Sequence, residues 1–306
     1  MGFQGKRMKR EAILQYYSLN GTLRPTEETE IFDRIGGGAI YEVIKLIDGV
    51  PLFFEEHMAR MRRSAALLGV TLGKRESDIL TEIRRLSEKN RCRHINVKLV
   101  SAHPDGEDLF LIYFINSEYP GPEVYARGIH TILFFGEREN PHIKTLAGSF
   151  RQRVEQARRK TGAYEALLVD DQGCISEGTR SNIFFLRDAG IYTPPAGSVL
   201  LGVTRGQVVD ICEGLGIPVT EQPLRTDDLN TLGGAFITGT TVDVLPIASI
   251  DDIHIPSMSA PEIQNIIGVF REKMRADIHR RGGDPTRIDS ESDRSLPPGR
   301  PPGCPG

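Results

Sequence analysis

The sequence predicts an α+β protein built from two sheet-containing domains. Its strand-like runs are short, joined by turns and interrupted by single helices instead of regular βαβ alternation. A Pro/Gly-punctuated stretch, Asn116-Ser-Glu-Tyr-Pro-Gly-Pro122, separates two such series. At 306 residues the chain has the length of about two domains. The expected division is 1–118, a linker at 119–122, 123–280, and a disordered tail at 281–306.

Residues 39–54 read as strand, turn at Asp48-Gly49 and strand, the pattern of a hairpin. At 55–69 the period changes. Phe54, Met58, Met61, Ala65 and Leu68 recur every three or four residues, one buried stripe of a helix closed by Gly69. A second helix is expected over about 76–89, then alternating strands at 93–101 and 108–116. After the linker the pattern restarts with a strand at 128–135 and a polar helix ending near Lys160. Strands follow near 163–170 and 181–186, with a short one at Ile191-Tyr192. A helix at 205–214, strands near 217–221 and 234–238, and an amphipathic helix at 260–278 complete the ordered chain. That last helix places Ile263, Ile266, Ile267, Phe270 and Met274 on one face. From Arg281 the sequence is rich in Gly, Pro, Ser and charge, with little to bury.

A net charge of -3 with 26% charged residues supplies no basic field, which argues against nucleic-acid and anionic-membrane binding. Cys92, Cys174, Cys212 and Cys304 show neither CxxC nor Cys/His ligand spacing, so no metal site is expected and a reducing compartment fits. The charged start, Met1-Gly-Phe-Gln-Gly-Lys-Arg-Met-Lys-Arg10, lacks an apolar core of secretory length, and no run approaches the ~18 apolar residues of a membrane span. The expectation is a soluble, cytoplasmic protein.

The most informative stretch is Ser176-Glu177-Gly178-Thr179-Arg180-Ser181-Asn182, a carboxylate and a polar turn between the apolar runs Ala166-Leu-Leu-Val169 and Ile183-Phe-Phe-Leu186. Lys144, in Pro141-His142-Ile143-Lys144-Thr145, lies between a strand-like and a helix-like run. An enclosed lysine loses its proton and can form a Schiff base with an aldehyde, whereas an exposed one only starts a helix. Glu177 is either a turn carboxylate or the partner of a pyridine nitrogen. Gly202-Val203-Thr204-Arg205 closes an apolar run and opens a helix, and Thr238-Gly239-Thr240-Thr241 is read the same way after Ala235-Phe-Ile237. Each offers backbone N–H groups and a hydroxyl to a phosphate, or is only a helix cap. Arg60, off the buried stripe of its helix, is either solvated or a phosphate ligand with planar, bidentate donors. No GxxxxGK[ST] or GxGxxG spacing occurs.

Together, Tyr41-Glu-Val43, His57-x-x-Arg60-x-x-x-Ser64, Ile143-Lys144, Tyr164-Glu-Ala-Leu-Leu, Ser176-Glu177-Gly-x-x-Ser-Asn182, Gly202-Val-Thr204-Arg and Thr238-Gly-Thr240 make the chain resemble the class IV, fold type IV, pyridoxal-phosphate aminotransferases. That family includes branched-chain and D-amino-acid aminotransferases and aminodeoxychorismate lyases. The likeness runs from about Tyr41 to Pro246. It implies a small N-terminal α/β domain, a larger C-terminal domain with a barrel-like sheet, pyridoxal 5'-phosphate as cofactor, and a homodimer. Lys144 would hold the cofactor as a Schiff base and, once released, move the proton at the substrate α-carbon. Glu177 would pair with the pyridine nitrogen. Arg60, the amides of Val203 and Thr204, and the Thr240 hydroxyl would bind the phosphate, Arg138 would lie near the phenolic oxygen, and Tyr41 and Thr241 would line the substrate pocket.

Three departures bear on substrate. The approach to Tyr41, Asp33-Arg-Ile-Gly-Gly-Gly-Ala-Ile40, is shorter than the family's usual one. Ala163 stands where branched-chain enzymes place a tyrosine, and Tyr164, one step on, would face the other way on a strand, as suits the D-amino-acid type. The Arg-x-His carboxylate trap of that type has no counterpart in Val97-Lys-Leu-Val-Ser-Ala-His-Pro104, where Lys98 and His103 are the available cations. The expected activity is transfer of an amino group between a D- or branched-chain-type amino acid and a 2-oxo acid. The alternatives are a 4-amino-4-deoxychorismate-lyase-like eliminase and, of another class, an inactive cofactor-binding protein.

Overall fold

A computed structural model of the chain describes residues 11–36, 38–136, 149–188 and 190–288. Arg138 and Lys144 lie outside the described residues. The chain forms two compact units: the described portion of the first is 11–118 and 274–288, and that of the second 119–136 and 149–273.

The first unit is a six-stranded antiparallel sheet in the order β2-β1-β6-β5-β3-β4. Its strands are β1 (Ala12–Leu19), β2 (Thr22–Pro25), β3 (Ile40–Ile47), β4 (Val50–Pro51), β5 (Ile95–Ala102) and β6 (Leu109–Ile115). The β3–β4 hairpin turns at Asp48 and Gly49, both at positive φ, 53° and 76°, as a tight turn of that hand requires. Alternation along β3 sends Ile40, Ile44 and Leu46 to one face. There α2 (Phe54–Leu67) and α3 (Glu76–Asn90) cover them with Met58, Met61, Ile79 and Ile83. The opposite face carries Tyr41, Val100, Leu111 and Tyr113. The short α1 (Glu30–Asp33) sets Phe32 between Tyr17 and Tyr113, with ring centroids 5.3 and 5.5 Å away.

The second unit is sheet-rich, a path of strands β12-β11-β10-β14-β15-β7-β8-β9-β13 with β16 beside β15, curled into a half-barrel. Its elements are α4 (Pro122–Arg127), β7 (Ile129–Phe135), α5 (Ser149–Thr161), β8 (Glu165–Val169), β9 (Cys174–Gly178), β10 (Asn182–Arg187), β11 (Gly190–Thr193), α6 (Val203–Gly214), β12 (Val219–Glu221), β13 (Leu224–Arg225), β14 (Gly234–Gly239), β15 (Asp243–Ile250), β16 (Ile253–His254) and α7 (Pro261–Arg280). Strand β7 runs parallel to both β8 and β15. One side of these strands buries Leu167, Ile183, Phe185, Ile237, Leu245 and Ile247. Where α5 packs on β7 and β8, Val154 meets Ile132, Ala166 and Leu168. Ala163 and Tyr164 do face opposite ways, the first into the α5 cluster and the second against the larger core. Among the described residues no helix is long and apolar enough to cross a membrane.

Several elements differ from the sequence reading. Strands β1 and β2 precede the first expected strand; Leu14 has φ 66° and the β1–β6 register shifts between Ile13 and Ser18, which breaks the alternation that would have marked them. The polar stretch 176–182 is strand as far as Gly178. Thr240 opens no helix, because residues 240–242 turn directly into β15, which pairs with β14 and β7 despite containing Pro246.

Residues 281–288, assigned by composition to a disordered tail, are packed. Gly282, at φ 79°, closes α7, and the Gly283 N–H donates to the Ile278 carbonyl at 3.0 Å. A Cβ on Gly283 would come within 2.7 Å of Val50. The Asp284 N–H donates to Asp48 Oδ2 at 3.0 Å, Arg281 Nε donates to Asp277 Oδ1 at 3.2 Å, and Ile288 is only 9% exposed. Local composition carries no sign of these partners, which lie more than 200 positions away or on the preceding helical turn. A chain ending at Arg280 should therefore be less stable than one ending at Ile288 by about 2–3 kcal/mol, read from denaturant midpoints. Coincident midpoints would show that 281–288 contributes nothing.

Candidate functional site

In the second unit a buried glutamate anchors the turn between β9 and β10. Glu165 Oε1 accepts the Ala166 N–H at 2.9 Å, the Thr179 N–H at 3.2 Å and the Thr179 hydroxyl, while Oε2 accepts the Ser181 hydroxyl at 3.1 Å. The Gly178 N–H closes the turn on the Ser181 carbonyl at 2.8 Å. A Cβ on Gly178 would press on the Ser181 hydroxyl and stand 3.2 Å from the Glu165 side chain, so a larger residue would disturb both. One residue before it, on β9, Glu177 is 4% exposed. A carboxylate so enclosed favours a cationic or proton-bearing neighbour.

The turn ends in Asn182, where three segments meet. Asn182 is the register partner of Thr238 across β10 and β14. Its Nδ2 donates to the Leu200 carbonyl at 2.8 Å, and its Oδ1 lies so near Gly202 that a Cβ there would approach to 2.2 Å. Gly202 is the extended N-cap of α6, and no side chain caps that helix. The first-turn amides of an α-helix have no intrahelical acceptor, and the helix dipole adds partial positive charge. Val203 and Thr204 are both buried. Arg205 fixes this helix start by donating to the Pro194 carbonyl at 3.3 Å and to Glu221 Oε1 at 2.8 Å. Helix α6 also packs on β14, whose Thr238 hydroxyl is buried without a hydrogen-bond partner among the described residues. Past Gly239, Thr240 and Thr241 are half-buried in a turn held by Tyr125, whose hydroxyl donates to the Val242 carbonyl at 3.1 Å. An uncapped helix start and a buried hydroxyl, both beside one asparagine, are donors suited to an oxyanion.

In the first unit Arg60 is buried, which overturns the solvated reading. Its Nε donates to Glu42 Oε1 at 2.8 Å and its Nη2 to Glu42 Oε2 at 2.5 Å, while His57 Nδ1 lies 2.8 Å from the same Oε2. Burial would raise the Glu42 carboxyl, but the charge and hydrogen bonds of Arg60, with help from His57, hold it down at about 2. Arg60 is in turn held more basic by Glu42, against its own burial. Tyr41 lies on the other face of the same strand, with Lys98 Nζ 4.6 Å from its ring centroid.

Within the second unit Asn182 thus links the start of α6, at Gly202, to Thr238 on β14, with Glu177 on β9. Arg60 and Tyr41 belong to the first unit. Sequence reasoning passed over Glu42, Glu165 and Asn182. The signal for Glu42 was a carboxylate inside the apolar run Ile40-Tyr-Glu-Val-Ile, one strand before a His-x-x-Arg helix.

Replacing Glu42 with Gln leaves the buried guanidinium without its counter-charge and should destabilise the protein by about 3–5 kcal/mol. Because the folded Glu42 pKa is depressed, its contribution is complete above the unfolded value of about 4.3 and is lost as pH falls towards about 2. Stability of wild type should fall across that window, and Glu42→Gln should flatten some of the fall. Superimposable stability curves for the two proteins would contradict the pairing.

Residues 39–250 match the family model of amino-transferase class IV. The chain is 31% identical over 233 residues to a D-alanine aminotransferase of Bacillus licheniformis, covering 72% of this chain and 82% of that protein. It is 28% identical to a branched-chain-amino-acid aminotransferase of Salmonella typhimurium, over 72% of this chain and 78% of that one. The holo, PLP-form branched-chain aminotransferase of Thermobaculum terrenum superposes with a TM-score of 0.74 at 21% identity, over 88% of this chain and 96% of that one. The fold is that of the fold type IV pyridoxal-phosphate enzymes. The chain belongs to the class IV aminotransferase family.

Proposed function

We propose that the protein is a pyridoxal-phosphate-dependent aminotransferase, moving an amino group between a D- or branched-chain-type amino acid and a 2-oxo acid, and that it works as a homodimer. The observation that carries this reading is that Asn182 touches the uncapped start of α6 at Gly202 and is the register partner of Thr238, in the same unit as a buried Glu177. The buried Thr238 hydroxyl, without a partner among the described residues, and the uncapped helix start fit an anionic group bound there. In this reading the amides of Val203 and Thr204, the Thr240 hydroxyl and Arg60 hold the cofactor phosphate. Glu177 would keep a proton on the pyridine nitrogen, and Arg138 would pair with the phenolic oxygen. Once bound, the cofactor supplies an electron sink for the substrate α-carbon. Lys144 would hold it and would carry the proton at that carbon, a task for a free amine. Tyr41 and Thr241 border the substrate.

Purified protein incubated with pyridoxal phosphate should acquire a visible absorption band. Titration with D-alanine, L-leucine or L-valine should bleach it with one donor class, and 2-oxoglutarate should restore it. Lys144→Ala should lower turnover by roughly 10²–10⁴-fold. Pyruvate release from aminodeoxychorismate without an acceptor would favour the eliminase. Absence of a chromophore, or normal turnover by Lys144→Ala, would reject the assignment.

A further inference from the structure

Strand β9 does not keep step with its neighbour. Leu167 of β8 is opposite Gly178 and Val169 is opposite Ile175, so Ser176 and Glu177 together stand opposite Leu168 alone. This is a β-bulge, which adds a residue to one strand and re-aims the side chains around it. Ile175 faces the larger apolar core together with Leu167 and Val169. On a regular strand Glu177, two places on, would point into that core, where a carboxylate is costly. The extra residue gives that position to Gly178 instead and turns Glu177 to the face of Leu168. The Ser176 hydroxyl ties the bulge to β8, donating to the Leu168 carbonyl at 3.2 Å.

A bulge disrupts the strand ladder locally, so its geometry depends on other contacts. Glu165 supplies them. It shares a face of β8 with Leu167 and lies diagonal to Gly178, whose lack of a side chain lets the carboxylate reach the chain beyond the bulge. There Oε1 holds the Thr179 N–H and hydroxyl and Oε2 holds the Ser181 hydroxyl, while the Thr179 N–H is shared with the Ala166 carbonyl at 3.1 Å. Thr179 and Ser181 are both buried, so these bonds are made away from solvent. Arg180, between them, takes no part: its side chain is 62% exposed and lies 3.6 Å from Glu155. Packing alone would ask for an apolar residue at 165, as at Leu167 and Val169 on the same face.

We infer that Glu165 is a positioning residue for Glu177: by fixing Thr179 and Ser181 it sets the β9 bulge, and through the bulge the direction of the Glu177 carboxylate towards the pyridine nitrogen. The inference rests on the proposed role of Glu177 in the cofactor site. Glu165 and Glu177 lie on opposite faces of the sheet, so the effect passes through the backbone at Gly178. What Glu165 fixes is an angle. A charge-assisted hydrogen bond is strong only when it is short and nearly linear, and it weakens steeply as the angle closes.

The test compares pyridoxal phosphate with deazapyridoxal phosphate, in which C–H replaces the ring nitrogen, measuring both dissociation constants on the full-length protein freed of cofactor. Wild type should prefer pyridoxal phosphate. Glu165→Leu should lower that preference by about tenfold, through weaker pyridoxal phosphate binding with deazapyridoxal phosphate nearly unchanged. Thr179→Val, a milder change that leaves Glu165 in place, should lower it by about threefold and serves if Glu165→Leu does not fold. Glu165→Gln should keep the preference, since its amide oxygen can serve the donors to Oε1 and its NH₂ can donate to the Ser181 hydroxyl. Arg180→Ala should also keep it. Equal losses for both cofactors would show a merely structural role. An unchanged preference in Glu165→Leu and Thr179→Val, or a loss in Glu165→Gln or Arg180→Ala as large as in Glu165→Leu, would also overturn the positioning role. Failure of the underlying reading appears separately, in wild type, as equal affinity for the two cofactors or binding of neither.

Discussion

The organisation of the second unit depends on what Asn182 does with both ends of one amide. Its NH₂ holds the Leu200 carbonyl, and its oxygen packs against Gly202 so closely that no side chain fits there. Through the β10–β14 register the same residue sits opposite Thr238. A helix start, a strand end and the Glu177 turn are therefore referred to a single side chain. Glu165 does the same for the turn that leads into Asn182, committing both carboxylate oxygens to Thr179, Ser181 and the backbone. Sites of this kind need placement to within about 0.5 Å, which packed strands and supporting hydrogen bonds supply better than free loops.

Much of this could be read from the residues, for identifiable reasons. The α2 stripe of Phe54, Met58, Met61 and Ala65 and the α7 face of Ile263, Ile266, Ile267 and Phe270 are buried as their period required, because helix amphipathicity is a local signal; Leu68, also expected on the α2 stripe, lies past the helix end and is 37% exposed. The strands that were missed lack such a signal. Leu14 at positive φ interrupts β1, and Pro246 would ordinarily exclude β15 from the middle of a sheet. Of the site, the glycines and threonines at turns were legible because a turn needs them. Asn182 looked like one more turn residue, since its partners Leu200, Gly202 and Thr238 lie 18 to 56 positions away. The burial of Arg60 was hidden for the same reason: Glu42 belongs to another element.

The first unit uses its sheet as a partition between two charge arrangements. On the helix-covered face Glu42 is paired with Arg60 through two hydrogen bonds, and His57 holds the same carboxylate. Neutralising either member leaves a buried charge that water cannot reach, which is why this pair fixes geometry more than it adds stability. On the Tyr41 face the Lys98–Glu11 pair is lopsided in exposure, and the buried Tyr113 hydroxyl has no partner among the described residues. One arrangement closes on itself through two hydrogen bonds, and the other leaves a buried phenol without a partner among the described residues.

Under the proposed function, Asn182 organises the phosphate end of the cofactor site. This claim is tested most directly by measuring the dissociation constants of pyridoxal phosphate and of pyridoxal, which lacks the phosphate, for wild type and Asn182→Ala. The account predicts that the variant weakens pyridoxal phosphate by about tenfold or more while leaving pyridoxal nearly unchanged. Equal losses for both ligands, or no loss for either, would contradict it.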